Sequence, residues 1–185
     1  IGSFIGFIVA VIATVFPKWG YGGLLVLSAL NAVPIIALAP IMNMWFGDGI
    51  SGKISVVVVT TMAAMAFNVY RGINDLKPFS LDLMKSYGAS KWSVFWKLRL
   101  PNCIPNIMTA LKINMTAGMI GAIISEFFYS SKGLGYMISN SVKIAKMAEG
   151  WAGICFAALM GILIYSIITT FEKYALKWHS SQQVN

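Results

Sequence analysis

Residues 47–54 come close to a motif for phosphate chemistry. They read Gly-Asp-Gly-Ile-Ser-Gly-Lys-Ile, which fits the pattern G-x-x-x-x-G-K-[ST] up to its last position. In a true phosphate-binding loop that last residue supplies a hydroxyl to Mg²⁺, and the loop joins a strand to a helix. Here Ile54 offers no hydroxyl, and a long apolar segment precedes Gly47. The stretch therefore predicts a turn between helices and no ATP site on this chain.

Few other side chains are suited to catalysis or to metal binding. His179 is the single histidine, and it lies near the carboxyl end with no partner nearby in sequence. Cys103 and Cys155 are far apart and lack the spacing of metal ligands, so we interpret them as small packing residues. A catalytic site needs several such groups to converge. The sequence thus predicts no catalytic residue, no metal site and no bound cofactor, which argues against an enzyme.

The distribution of charge indicates the class of protein. Only 11% of the residues are charged, against about 25% in soluble domains, and the mean hydropathy is +0.75. A helix needs roughly 20 apolar residues to cross a membrane. Uncharged stretches that approach or reach that length cover residues 1–17, 19–47, 54–70, 113–125 (extended by Phe127 and Phe128) and 150–171. We therefore predict an all-α, polytopic transmembrane bundle of about five spans.

The predicted spans have distinct ends and breaks. They cover about residues 1–16, 24–46, 54–70, 112–128 and 151–171, and Pro34 and Pro40 should kink the second one. Gly2 and Gly6 form a G-x-x-x-G pair that permits close helix packing. Because the chain begins inside an apolar stretch, we expect residues 1–185 to form one transmembrane domain that lacks its amino-terminal part.

Basic residues predict the orientation of these spans. Lys and Arg are enriched in cytoplasmic connections of membrane proteins. Alternation of the spans places one group of basic residues on the side of the connection 72–101: Lys18, Arg71, Lys77, Lys85, Lys91, Lys97, Arg99, Lys173 and Lys177. The smaller group on the other side is Lys53, Lys132, Lys143 and Lys146. We therefore predict that the connection 72–101 and the carboxyl terminus are cytoplasmic.

Two charged residues lie within or at the end of the fourth span. Glu126 lies either at the membrane interface or along a solute pathway, because ionisable groups at membrane depth tend to face water-filled cavities. Lys112 either extends to the interface or faces the pore. The turn Gly133-Leu134-Gly135 is either an outer gate or a plain loop. The candidate pathway residues are Pro34, Ser125, Glu126, Gly133 and Gly135.

The connection 72–101 is predicted to contain two short helices. Gly88 suits a positive φ at the end of the first helix, and Ser90 is a good N-cap for the second. Trp92, Phe95 and Trp96 then share one face of the second helix, which Pro101 is expected to stop. From these residues alone, the second helix is either an anchor at the membrane interface or a docking element for another protein.

At this connection the sequence resembles the permease subunits of ATP-driven (ABC-type) importers. Their signature is E-A-A, three residues, Gly, nine residues, Ile, one residue, Leu-Pro; here Gly88, Leu98, Leu100 and Pro101 match it, with Leu98 for Ile. Asp82-Leu83-Met84 replaces E-A-A and keeps only the acid. The resemblance implies coupling to an ATPase through Asp82, Gly88, Ala89, Ser90, Trp92, Phe95, Leu98, Leu100 and Pro101.

Other segments resemble one branch of that family. Residues 31–34 with 45–47, and residues 120–127 with 133–136, are similar to permeases for nitrate, sulfonates, taurine and pyrimidine precursors of thiamine. The resemblance implies alternating access in a bacterial inner membrane. The implied partners are an ATPase subunit that hydrolyses ATP, an external substrate-binding protein, a second permease copy and membrane lipid, with no nucleic acid. The alternative is an ATP-independent channel or ion-coupled secondary transporter.

Overall fold

The computed structural model describes residues 1–176, which fold into helices joined by short connections. Lys177 and His179 lie outside the described residues. Lys91–Val94 and Leu100–Tyr129 are joined without a break by a π-helical turn, Phe95–Arg99. The helices are α1 (Gly2–Val15), α2 (Pro17–Ala32), α3 (Ile35–Phe46), α4 (Ile50–Asn74), α5 (Ser80–Ser86), α6 (Lys91–Val94), α7 (Leu100–Tyr129), α8 (Leu134–Lys143) and α9 (Met147–Ala175).

The predicted class, an all-α membrane bundle, is confirmed. Within residues 1–176, three helices are long and apolar enough to cross a membrane: Ile50–Asn74, Lys91–Tyr129 and Met147–Ala175. A fourth span results if the bent pair α2 and α3 is counted as one. Helix α1 is apolar but shorter, with 14 residues. The five predicted spans thus correspond to α1, the α2–α3 pair, α4, α7 and α9.

The second predicted span is broken far more sharply than a kink. The segments Gly20–Ala32 and Ile35–Phe46 meet at 105°. Val33 is extended (φ −71°, ψ 127°) because the residue before a proline is disfavoured in the helical region. Pro34 then serves as the N-cap of α3, whereas Pro40 is accommodated inside α3. The break lets α3 turn across the bundle, where Leu38, Ala39 and Met42 pack with Val56 of α4.

Helices α4 and α7 form the antiparallel centre of the bundle. Small residues bring them close: a side chain at Gly72 would overlap Asn106, and Gly121 lies against Thr60. The buried Cys103 donates its thiol hydrogen to the carbonyl of Val69 at 3.4 Å. The packing interpretation of Cys103 is therefore confirmed, whereas Cys155 on α9 is exposed.

Helix α1 packs along α4 through the predicted glycine pair. A side chain at Gly2 would overlap Thr61, and one at Gly6 would overlap the backbone of Met62. The order of these contacts shows that α1 and α4 run in the same direction. Helix α2 then folds back along α1, with Gly20 pressed against Ala13.

The bundle has two distinct ends. At one end, which we call the loop end, the two ends of the connection between α4 and α7 meet: Arg99 donates a hydrogen bond to Asn74 at 3.3 Å. At the other, the far end, Lys53 of α4 donates a hydrogen bond to Ser130 at 2.8 Å. Since α4, α7 and α9 alternate in direction, the carboxyl end of α9 returns to the loop end, as the predicted alternation requires.

The connection between α7 and α9 contains a helix directly after Gly133, where the sequence predicted only a turn or a plain loop at Gly133-Leu134-Gly135. Helix α8, Leu134–Lys143, buries Gly135, Ser139 and Ser141 against its neighbours α7 and α9. Helix α8 is difficult to predict from sequence, because its buried glycine and serine residues are also typical of loops.

We predict that Gly6→Ala lowers the thermal stability of the detergent-solubilised protein. Its new methyl group would overlap the backbone of Met62, and overpacking typically costs about 1–3 kcal/mol. Gly22→Ala is the matched control, because nothing lies within 4 Å of that position and alanine favours helix by about 1 kcal/mol. Equal midpoints for the two variants would contradict the close packing of α1 on α4.

Candidate functional site

The connection 72–101 contains two helical segments, of which α5 is a short helix, as predicted, and α6 begins where the second helix was predicted. Helix α5 ends in a Schellman motif: Gly88 (φ +68°) donates to the carbonyl of Lys85 at 2.9 Å, and Ala89 donates to that of Met84 at 3.0 Å. Gly88 therefore reverses the chain direction at the end of α5, as predicted. Asp82 lies in the first turn of α5 and forms an exposed ion pair with Lys85 at 3.4 Å.

Helix α6 begins at the predicted cap. The backbone N–H of Ser93 donates to the hydroxyl of Ser90 at 3.2 Å, which satisfies one of the free amides at the helix start. The predicted aromatic face is also present, with ring centroids 6.3 Å apart for Trp92–Phe95 and 5.6 Å apart for Trp92–Trp96. We call Trp92, Phe95 and Trp96 the aromatic cluster.

The aromatic cluster has an inner and an outer part. Phe95 is half-buried and packs against the core that contains Ile73 of α4 and Cys103 of α7. Trp92 and Trp96 are 71% and 50% exposed. The cluster thus joins the bundle core to the surface of the loop end.

The expected stop at Pro101 is wrong. Helix α6 continues through the π-helical turn into α7, so that 91–129 form one continuous helix. A proline in a regular helix clashes with the carbonyl four residues earlier. Here the turn shifts the hydrogen-bond register, because Leu100 donates to Phe95, five residues back. The helix accommodates Pro101 immediately after this widened turn, with Leu98 and Leu100 half-buried beside it.

Asn102 fixes this continuous helix to the end of α4. Its amide donates to the carbonyl of Gly72 at 3.1 Å and to that of Asp75 at 2.8 Å. The carbonyl of Gly72 belongs to the last turn of α4 and that of Asp75 to its C-cap, where carbonyls lack partners within the helix. The part of the connection that contains α6 is therefore held against the end of α4. Helix α5, by contrast, has no buried residue and projects from the bundle.

Large apolar side chains are exposed along the projecting part. A soluble surface seldom shows a contiguous apolar patch without a partner or a membrane to cover it. Ser80, Asp82, Lys85 and Lys91 lie among them, so the patch is mixed with polar and charged groups. The exposed apolar residues are Phe79 (82%), Leu83 (59%), Tyr87 (81%), Trp92 (71%) and Trp96 (50%).

Glu126 organises a second site at the far end. Its Oε2 accepts a hydrogen bond from the backbone N–H of Gly135 at 3.1 Å, in the first turn of α8. Its Oε1 lies 3.7 Å from Nζ of Lys53, and each of these side chains is 24% exposed. A carboxylate at a helix amino terminus is favoured by the free amides and the helix dipole. Glu126 thus joins the ends of α4, α7 and α8.

The two glycines of the turn are explained by Glu126. Gly133 has a φ of +111°, and a side chain there would overlap the Glu126 carboxylate. A side chain at Gly135 would overlap the backbone of α7 next to Glu126. The structure therefore brings together three of the predicted pathway residues, Glu126, Gly133 and Gly135. We call these residues and Lys53 the far-end cluster.

The other two predicted pathway residues have different surroundings. Ser125 is fully buried in α7, and its hydroxyl has no hydrogen-bond partner. Pro34 is exposed at the break between α2 and α3 and is not part of the far-end cluster.

Sequence reasoning missed three polar residues of the bundle. Lys53 and Glu172 each provide the partner of a charged residue that the sequence had singled out: Lys53 pairs with Glu126, and Glu172 pairs with Lys112. Asn114 lies on a crevice of about 600 Å³ between α1, α4, α7 and α9, and donates to the Ser3 hydroxyl at 2.9 Å. No local signal identifies these pairs, because their members are far apart in sequence.

The match to known proteins covers almost the whole chain. Residues 2–179 match the family described as binding-protein-dependent transport system inner membrane components. The chain belongs to this family. The comparison identifies this inner membrane component as a membrane protein of the transport-permease class, in agreement with the helical bundle.

Relatives of this inner membrane component are permeases for several solutes. The formylaminopyrimidine transport permease of Halalkalibacterium halodurans is 32% identical over 84% of this chain and 62% of its own length. The taurine transport permease of Escherichia coli is 26% identical over 85% and 58%. A putative aliphatic sulfonates transport permease of Bacillus subtilis is 29% identical over 85% and 57%. The chain spans about three fifths of the length of these curated relatives.

We predict that Glu126→Ala loosens the start of α8. The change removes the acceptor of the Gly135 amide and the counter-ion of Lys53, which keeps its hydrogen bond to Ser130, at a cost of about 1–3 kcal/mol. Hydrogen exchange in the first turn of α8 should accelerate, and the thermal midpoint should fall.

Glu149→Ala provides the matched control for that prediction. Glu149 pairs with Lys146 at 2.9 Å in the same connection, but both side chains are more than half exposed. Exposed pairs contribute about 0–1 kcal/mol, so exchange in α8 should stay unchanged. An equal response of the two variants would show that Glu126 does not hold α8.

Proposed function

We propose that this chain is the membrane-spanning permease subunit of an ATP-driven importer, which moves a small solute across the membrane by alternating access. The observation that carries the proposal is the connection 72–101, in which a Gly88 turn presents α6 and is followed by an unbroken helix into the bundle. Family membership supports the same function, because the family consists of membrane components of binding-protein-dependent transport systems.

In this proposal the loop end is the ATPase docking surface. Trp92 and Trp96 are rigid, exposed aromatic side chains, which is typical of residues that dominate protein interfaces. Phe95 continues the aromatic cluster into the core between α4 and α7. Closure of two ATPase subunits would therefore move α6, and the packing of Phe95 would pass that movement to the bundle. The same packing favours docking over a lipid anchor, because one face of the cluster is already occupied by protein.

The orientation that we propose follows from charge. The loop end carries more basic residues than the far end, so the loop end faces the cytoplasm and the far end receives substrate from an external binding protein. A second copy of the permease, or a homologue, would complete the pathway. Of the candidate pathway residues, those of the far-end cluster have contacts that support a role in fixing the outer ends of α7 and α8.

The substrate class that we propose is a small anion or small organic solute. Relatives with this sequence pattern are permeases for formylaminopyrimidine, taurine and, putatively, aliphatic sulfonates. Among the described residues that line the 600 Å³ crevice, Lys53 alone has a charged side chain, and Glu126 already pairs with it. This lining offers little to distinguish one solute from another, which supports selection of the substrate by the external binding protein.

We predict that Trp92→Ala in the tagged full-length protein reduces recovery of an ATPase subunit from native membranes. Loss of one aromatic anchor at an interface typically costs about 2 kcal/mol, or roughly 30-fold in affinity. Mass spectrometry of the purified complex measures the recovered ATPase. The control is Trp45→Ala, since Trp45 is equally exposed (69%) but lies at the carboxyl end of α3 near the far end.

Two variants probe the interior of the same connection. Gly88→Pro removes the positive φ and the hydrogen bond to Lys85, and Phe95→Asp places a charge against the core. Both should abolish uptake while the protein still inserts into the membrane. Wild-type uptake in either variant would contradict the coupling role. If no ATPase accompanies the unaltered protein under gentle detergent conditions, the ATP-independent transporter becomes the better proposal.

A further inference from the structure

Lys112 of α7 and Glu172 of α9 form an ion pair within the bundle. Their side chains are only 23% and 12% exposed. About 25 Å of helix separates Lys112 from Tyr129 at the far end, which is nearly the thickness of the hydrocarbon core. The pair therefore lies toward the loop end of the membrane-spanning region. A partly buried charge at this depth is costly when it is alone, so each residue strongly favours keeping its partner.

The loop-end half of helix α9 has few buried side chains within 147–175. Its buried residues are Gly150, Gly153 and Ala157, all in the half nearer the far end. There Gly153 lies close to Met137 and Ile138 of α8. Farther along, a crevice of about 460 Å³ opens between α7 and α9, from Ala157 to Tyr165. Between residues 158 and 175 the helix has no further buried residue, whereas Leu176, its C-cap, is buried. The ion pair of Lys112 with Glu172 joins this half of α9 directly to α7.

Lys112 belongs to the same helix as the aromatic cluster. Residues 91–129 form one continuous helix, so roughly 30 Å of hydrogen-bonded backbone joins Lys91 to Lys112. Movement of α6 must therefore move Lys112, whereas α9 has no covalent connection to α6 except through α7, α8 and their turns.

We infer that Lys112 and Glu172 are positioning residues that make the loop-end half of α9 follow α7 when the ATPase moves α6. The inference rests on the proposed function. Without the pair, α9 would remain attached through α8 at the far end, and its loop-end half would lose a direct polar link to α7. The pair would thereby extend the movement from the centre of the bundle to its most exposed helix.

Spin labels on the full-length protein with its ATPase test this inference in lipid nanodiscs. Thr109 on α7 and Thr170 on α9 are both exposed, and each is labelled separately in a Cys155→Ser background, since Cys103 is buried. In the labelled protein that keeps Lys112 and Glu172, a non-hydrolysable ATP analogue should change the spectra of both labels. In Lys112→Met with Glu172→Gln, the label at Thr109 should still respond and the label at Thr170 should lose its response.

Further variants separate positioning from simple stability. The exchanged pair, Lys112→Glu with Glu172→Lys, should restore the response at Thr170, which a loss of stability alone would not predict. Lys173→Met removes an exposed charge next to Glu172 and should leave the response unchanged. If the neutral double variant is not recovered folded, Glu172→Gln alone replaces it, because it keeps the shape of the side chain.

Three results would overturn the inference. A full response at Thr170 in the neutral variant would show that α9 follows α7 without the pair, while the proposed function would stand. No response at Thr109 in the native complex with bound ATPase would show that α7 does not transmit the movement. Failure to recover any ATPase with the native protein would remove the proposed function and this inference together.

Discussion

In a bilayer, helices gain little by hiding apolar side chains from lipid, so α4 and α7 must be held together by close packing and hydrogen bonds. Gly72 admits Asn106, Gly121 lies against Thr60, and the Cys103 thiol reaches a carbonyl of α4. The rest of the bundle depends on this pair. Helix α1 packs on α4, α3 crosses both helices, and α8 and α9 attach to α7.

The same helix pair connects the loop end and the far end. At the loop end, Asn102 fixes the beginning of α7 to the last turn of α4, and Phe95 fills the space above their shared core. At the far end, Glu126 and Lys53 join the opposite ends of these helices. In the proposed mechanism, a movement of α6 would act on a helix pair that is held together at both ends, as a change between two packed arrangements requires.

The periphery is built differently from this centre. Helix α9 exposes most of its apolar side chains, and only 6% of its most apolar stretch is buried within this chain. Side chains such as Leu159, Leu163 and Ile167 are suited to lipid or to another membrane helix. Because apolar packing of α9 against α7 is sparse, the ion pair of Lys112 with Glu172 contributes a larger share of the contact between these two helices.

The sequence by itself determined the class of protein and the local form of the connection 72–101. Apolar length predicts membrane helices, and Gly88 and Ser90 act on their own backbone, so their effect is readable without neighbours. It did not reveal the passage through Pro101, the 105° bend at Pro34 or the helix α8. It also named Glu126 and Lys112 without their partners. Only the tertiary structure decided those features, because helix rotation and packing select which residues meet across the bundle.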